Sequence, residues 1–231
     1  MAQIIQLGQP PIDVTVKYSS RARRISLRIS GVDGRVSLTV PRFAKNSDAQ
    51  SFLRDKEGWI RKHLEQQPDQ VLVQPGAFIP IEGVSYRIEV GSNRAVSLQT
   101  NCISVPPGLE KTGPRLRAFL KTLARDRLAE ASGRYAAKLG RRYGKITLRD
   151  TRSRWGSCTC EGNLMYSWRL ILAPPAVLDY VAVHECCHLV EMNHSKAFWD
   201  LVEGLMPDYN APRRWLRKEG GALHRYQFDA P

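Results

Sequence analysis

Residues 178–189 read LDYVAVHECCHL, placing His184 and His188 four positions apart with Glu185 beside the first. On an α-helix, positions four apart share a face, so both imidazoles can meet one ion while Glu185 flanks the coordination position they leave open. The run from Leu178 to Val183 is apolar apart from Asp179, so this helix has to be buried. Pro174 or Pro175 suits its first turn, where a missing N–H costs nothing. In a chain with 5 His among 231 residues, an HExxH pattern arises by chance only about 0.005 times. The motif therefore constrains the fold: a buried helix must end at a water-accessible metal position.

A third ligand is needed to hold an ion with one position open, and His194 lies six residues after His188. Zinc proteases of the HExxHxxGxxH type use the same spacing, with a glycine that turns the chain. Glu191 occupies that glycine position here, so Asn193 is expected to make the turn in a left-handed conformation. The carboxylates of Glu191 and Glu203 are rival third ligands. Another rival is a closed structural zinc site built from Cys158, Cys160, His184 and His188, disfavoured because CxC is not the usual ligand spacing and Glu185 would have no role. Three neutral imidazoles leave Zn2+ its full charge and an open position, bringing the pKa of bound water toward about 7. Glu185 is then placed to take that proton and pass it to the leaving group. Cys187 shares the face of the two histidines, and Cys186 is expected in the core.

Alternating apolar positions at 12–16, 25–29 and 36–40 predict strands, the last two joined by a turn at Val32-Asp33-Gly34. Helical spacing then predicts a helix over 48–65, followed by short strands at 77–81, 85–90, 95–98 and 102–105. The longest apolar stripe, over 114–139, carries Leu116, Phe119, Leu120, Leu123, Leu128, Ala131, Tyr135 and Leu139. Its opposite face is rich in Lys and Arg, and the whole chain has 35 such residues against 22 acids, a net +13. This predicts nonspecific contact with nucleic acid or nucleotides through the basic helix. Strands near 146–148 and 163–168 precede two helices separated by residues 192–194. No uninterrupted apolar run approaches the roughly 20 residues of a membrane span. No secretion signal is visible, and five cysteines in no framework pattern fit a reducing, cytoplasmic setting. The break at Pro106-Pro107-Gly108 divides a β-rich part with one helix, 1–107, from a catalytic part, 108–231.

A second cluster, RSRWGSC at 152–158, joins two arginines to a tryptophan and a glycine. With WRLILAPP at 168–175, the HExxH run and NHSKAFW at 193–199, it resembles the YgjP-like metallopeptidase family over roughly 12–226. More distantly the chain is similar to SprT-like and WLM proteases. The resemblance implies an α+β chain: a β-rich N-terminal part followed by a mainly helical, zincin-like metallohydrolase part with an active-site helix. It implies His184, His188 and His194 as ligands of Zn2+, Glu185 as catalytic base, and a peptide or protein substrate. Arg154, Trp155, Trp168 and Tyr209 are candidate substrate contacts. Two other functions stay open at this point: a metal-dependent hydrolase of nucleotides or other phosphoanhydrides, and a DNA-associated protein whose metal is structural.

Overall fold

In a computed structural model, described for residues 3–31, 34–65 and 69–229, the chain divides into two compact units, 1–69 and 70–231. The first has strands β1 (Gln3–Leu7), β2 (Ile12–Ser19), β3 (Ser26–Ile29) and β4 (Val36–Pro41), then helix α1 (Asn46–Glu65). Period-two alternation turns Val14, Val16, Leu38 and Val40 to one face, where Ala49, Leu53 and Ile60 of α1 complete a core. The sheet order is β1-β2-β4-β3, with β2 and β4 parallel and the outer pairs antiparallel. The expected β3–β4 pairing is present; Val32 and Asp33 of its turn lie outside the described residues. Strand β1 had no clear sequence signal, because its five residues, Gln-Ile-Ile-Gln-Leu, show no alternation.

The second unit begins with β5 (Val71–Leu72), β6 (Phe78–Ile81), β7 (Val84–Val90), β8 (Ser97–Leu98) and β9 (Cys102–Val105). Helix α2 (Thr112–Lys138) follows, then β10 (Ile146–Arg149), β11 (Gly156–Cys158) and β12 (Leu164–Ser167). Helices α3 (Pro175–Cys187), α4 (Lys196–Leu205) and α5 (Asn210–Glu219) and strand β13 (Tyr226–Gln227) complete it. The architecture is α+β. Strands β6, β7, β9 and β8 form one sheet in that order, and β10, β12 and β11 another, leaving β11 at an edge. Unit division falls earlier than the proline-glycine break at 106–108. The reason is packing: Ile79, Ile81, Ile88, Ile103 and Val105 share one core with Leu116, Leu120 and Leu128 of α2.

Helix α2 is about 40 Å long and buries Leu116, Leu120, Ala124, Leu128, Ala131 and Tyr135 along one stripe. Its arginines are largely engaged inside the unit. Arg127 pairs with Glu82 at 2.7 Å, Arg134 with Asp179 at 2.9 Å and Arg117 with Asp229 at 2.6 Å. Arg115 donates to the carbonyls of Pro106 and Pro107. These pairs are partly exposed and each contributes little stability, but they occupy much of the basic face expected to meet polyanions.

A buried guanidinium organises the other end of the unit. Arg169 donates through Nε and Nη2 to both oxygens of Asp150, at 2.7 and 3.1 Å, and through Nη1 to the carbonyls of Leu223 and Tyr226. It lies over the rings of Trp168 and Phe228. Burial alone would raise Asp150; the hydrogen bonds and charge of Arg169 outweigh it and hold the carboxyl below its ordinary range. His224 next to this pair is buried, and burial followed by the charge of Arg169 lowers it to about 4.

Two consequences for stability can be measured. The unfolded chain protonates His224 near 6.5 and the folded one only near 4, so its contribution is full above pH 6.5 and disappears as pH falls between those values. The loss is about 3 kcal/mol, readable as an acid-side fall in denaturation midpoint by tryptophan fluorescence that His224→Gln flattens. At the start of α2, a Cβ on Gly113 would collide with the carbonyl of Phe228. Gly113→Ala should therefore destabilise this unit by about 1–3 kcal/mol despite alanine's better helix propensity, measured by the same denaturation.

Candidate metal centre

Helix α3 starts at Pro175, whose ring suits the first turn, and buries Val177, Val181, Ala182, Val183, Cys186 and Cys187. Four-residue spacing then brings His184 and His188 to one side of its last turn, where they meet His194 from the following loop. The three offer ligand atoms all within 4.8 Å of one another. Nε2 of His194 lies 3.0 Å from Nε2 of His184, and Nδ1 of His188 is 3.0 Å from the carbonyl oxygen of Glu191. A proton on that Nδ1 leaves the Nε2 lone pair of His188 for the cluster.

Beneath the cluster lies Phe198 of α4. Its fully buried ring has its centroid 4.9, 4.6 and 4.8 Å from those of His184, His188 and His194. Such a floor limits water on one side and holds three rings in place. Burial, then the neighbouring histidines, lowers His184 to about 3, and burial also lowers His188. Both are neutral at ordinary pH, the form in which imidazole binds metal. Tetrahedral coordination by imidazole at about 2.0–2.1 Å requires nitrogens roughly 3.3 Å apart, so the donor set and its spacing fit one divalent ion.

The turn that returns His194 differs from the expectation. Among the described residues the one non-glycine with positive φ is Glu82, so Asn193 is not left-handed. The chain instead leaves α3 through bonds from the Val190 and Glu191 N–H groups to the Cys187 carbonyl, at 3.0 and 2.9 Å. Asn193 Oδ1 then accepts from the Ser195 N–H at 3.2 Å, and Ser195 Oγ caps α4 by accepting from Phe198 N–H. A side-chain turn replaces the left-handed residue. Glu191 contributes its carbonyl rather than its carboxylate, and neither Glu203 nor the Cys158 and Cys160 thiols join the cluster.

Glu185, the next residue along α3 after His184, is 5% exposed. Burial raises its pKa to about 8, with the charge of Arg154 acting in the other direction. It fits because β11 begins with glycine: a Cβ on Gly156 would lie 2.5 Å from Glu185 Oε1 and 2.7 Å from Cγ. A cleft of about 220 Å3 lined by Trp155, Gly156, Tyr180, His184, Glu185 and Leu216 opens there. Another, of about 400 Å3, reaches His188 from the side of Arg141, Arg142, Val190 and Met192.

The candidate substrate residues separate. Arg154 is exposed near Glu185. Trp155 lines the cleft with its inner edge against Gly220 and the His224 ring. Tyr209 stands one ring back, stacked on Trp199 at 5.6 Å and on Tyr180 at 6.5 Å. Trp168 does not reach the cleft; it is fully buried, edge-on to Phe228 at 5.2 Å, because the Trp168–Leu172 segment is a core 3-10 turn. Sequence reasoning missed Phe198 and Tyr180. The first stands four residues after His194 on an apolar helix face and the second four before His184, spacings that place them beside the cluster.

A family model described as YgjP-like, metallopeptidase domain, matches residues 23–219. No curated protein matches. Among solved structures, the metallopeptidase zymogen of Pyrococcus abyssi abylysin is similar at 18% identity, with 39% of this chain and 93% of that chain covered and a TM-score of 0.36. The family match spans most of the sequence, including the three clustered histidines and Glu185, and on that ground this chain belongs to the YgjP-like family of metallopeptidase domains.

Proposed function

We propose that this chain is a zinc-dependent peptidase in which His184, His188 and His194 hold the ion and Glu185 is the general base. The observation that carries the reading is the cluster of three imidazoles, His184 kept neutral by burial, with a buried carboxylate on the residue after His184 that opens with it on one cleft. Zn2+ bound there supplies Lewis acidity toward a scissile carbonyl and toward water. Glu185 accepts the proton of the attacking water and delivers it to the leaving amine. Burial gives its carboxylate the high proton affinity such a relay needs, while Arg154 and a neighbouring cation favour the ionised form that starts it.

An extended peptide suits the cleft better than a nucleotide. Strand β11 is an edge, so one side of its backbone has N–H and C=O groups to offer a substrate strand. Arg154 and Trp155 stand at its start, and they are the side chains we assign to substrate orientation. Tyr180, a cleft residue whose hydroxyl bonds to no described residue, adds a donor beside His184. No helix among the described residues is long and apolar enough to cross a membrane.

Purified protein should carry one zinc per chain, and His194→Ala should weaken zinc affinity at least about tenfold in a chelator competition. Retention of wild-type affinity would remove His194 from the ligand set. Glu185→Gln should keep the zinc and lose about 10²-fold or more of its turnover of an unfolded protein substrate. Gly156→Ala should also keep zinc while lowering turnover, because its methyl group displaces Glu185 rather than a ligand. Hydrolysis of nucleoside triphosphates in place of peptides would overturn the peptidase reading.

A further inference from the structure

Several arginines of α2 are engaged inside the second unit, whereas one segment of the first unit is densely basic. Between Val14 and Ser47 the sequence has eight Lys or Arg residues and a single acid, Asp33. Strand register gathers most of them. Strands β2 and β4 run parallel, with Ser19 opposite Pro41, and β3 starts with Ser26 opposite Thr39. The end of β2, the end of β4 and the start of β3 therefore meet at one end of the sheet. Lys17 lies near the end of β2 there, the loop residues Arg21, Arg23 and Arg24 follow that strand, and Arg42 and Lys45 follow β4.

All six cations are exposed, and none has an ion-pair partner among the described residues. The N-terminus of α1 points to the same end, held by a 2.6 Å hydrogen bond from Tyr18 Oη to Asn46 Oδ1, and its dipole adds positive potential. Asp48, in the first turn of α1, accepts from the Lys45 N–H. Two aromatic rings stand among these charges: Phe43 is 79% exposed and Tyr18 40% exposed.

We propose that this end of the β1–β4 sheet is a binding surface for single-stranded nucleic acid. Four of the six cations are arginines, whose forked donors match phosphate oxygens in pairs. Phe43, between Arg42 and Ala44, offers a ring face on which a base stacks while the flanking cations hold the backbone. Stacking is what sets this surface apart from a duplex-binding one, since paired bases present no free face. Insertion into an anionic bilayer requires a broad apolar face, and Phe43 and Tyr18 are two rings set among cations rather than such a face. The surface is independent of the peptidase reading, because no residue of the metal cluster takes part.

The test is fluorescence anisotropy of the full chain with a labelled oligothymidylate of about 20 nucleotides, titrated between about 50 and 200 mM salt. Combined Arg21→Gln, Arg23→Gln and Arg24→Gln should weaken binding at least about tenfold and reduce the log-log salt slope by about 2, near 0.7 for each phosphate released. Phe43→Ala should weaken binding about five- to hundredfold with the salt slope unchanged. Lys121→Gln with Arg125→Gln on α2 should leave affinity within about twofold. All these positions are exposed, and unaltered circular dichroism verifies the fold. The proposal is overturned if the α2 variant alone loses binding, if Phe43→Ala binds like wild type, or if phosphatidylserine vesicles capture the protein while the oligonucleotide does not.

Discussion

The second unit depends on enclosing a helix that is apolar nearly all the way round. Val177, Leu178, Val181, Ala182, Val183, Cys186 and Cys187 of α3 are all buried, and a helix of that kind is stable only where neighbours cover every side. Helix α2 covers one side, β11 another, and α4 and α5 the rest. Those neighbours are also the elements that supply the candidate site. The edge strand with Gly156, the ring of Phe198, and the rings of Tyr209 and Trp199 that stack beside Tyr180 of α3 all belong to the elements that cover it.

Enclosure also sets the electrostatics. A carboxylate and two imidazoles are placed in surroundings that disfavour charge, so Glu185 rises while His184 and His188 fall. The direction is what a metal-dependent hydrolase requires: neutral ligands, and a base with appreciable proton affinity. His184 and Glu185 line a cleft open to solvent, and His194 is exposed.

Two kinds of arginine divide the labour of a strongly basic chain. Arg169, Arg127, Arg134 and Arg117 bind carboxylates or carbonyls within the second unit and act as braces. The cations at the end of the first sheet face solvent. Net charge is the same sum in either case, and only the positions of the partners distinguish a brace from a surface available to another molecule.

Much of this was legible in residue order. Four-residue spacing placed His184 and His188 on one face, apolar periodicity located α1 and α2, an apolar run opened by a proline located α3, and alternation found β2, β3 and β4, since these signals depend on local geometry alone. The grouping of strands β6 to β9 with α2 was not legible, because core sharing is a long-range matter on which the proline-glycine break at 106–108 is silent. The route back to His194 depended on a side-chain turn at Asn193 and a cap at Ser195, either of which could have been replaced by a left-handed residue with the same spacing. Trp168 looked like a cleft residue by its neighbours in sequence, and the packing of Phe228 and Arg169 around it made it core. Gly156 and Phe198 were visible as letters but not as parts of a site. One spares room for a carboxylate 29 positions later, the other supports three imidazoles at once, and contacts of that range exist only after the chain has folded.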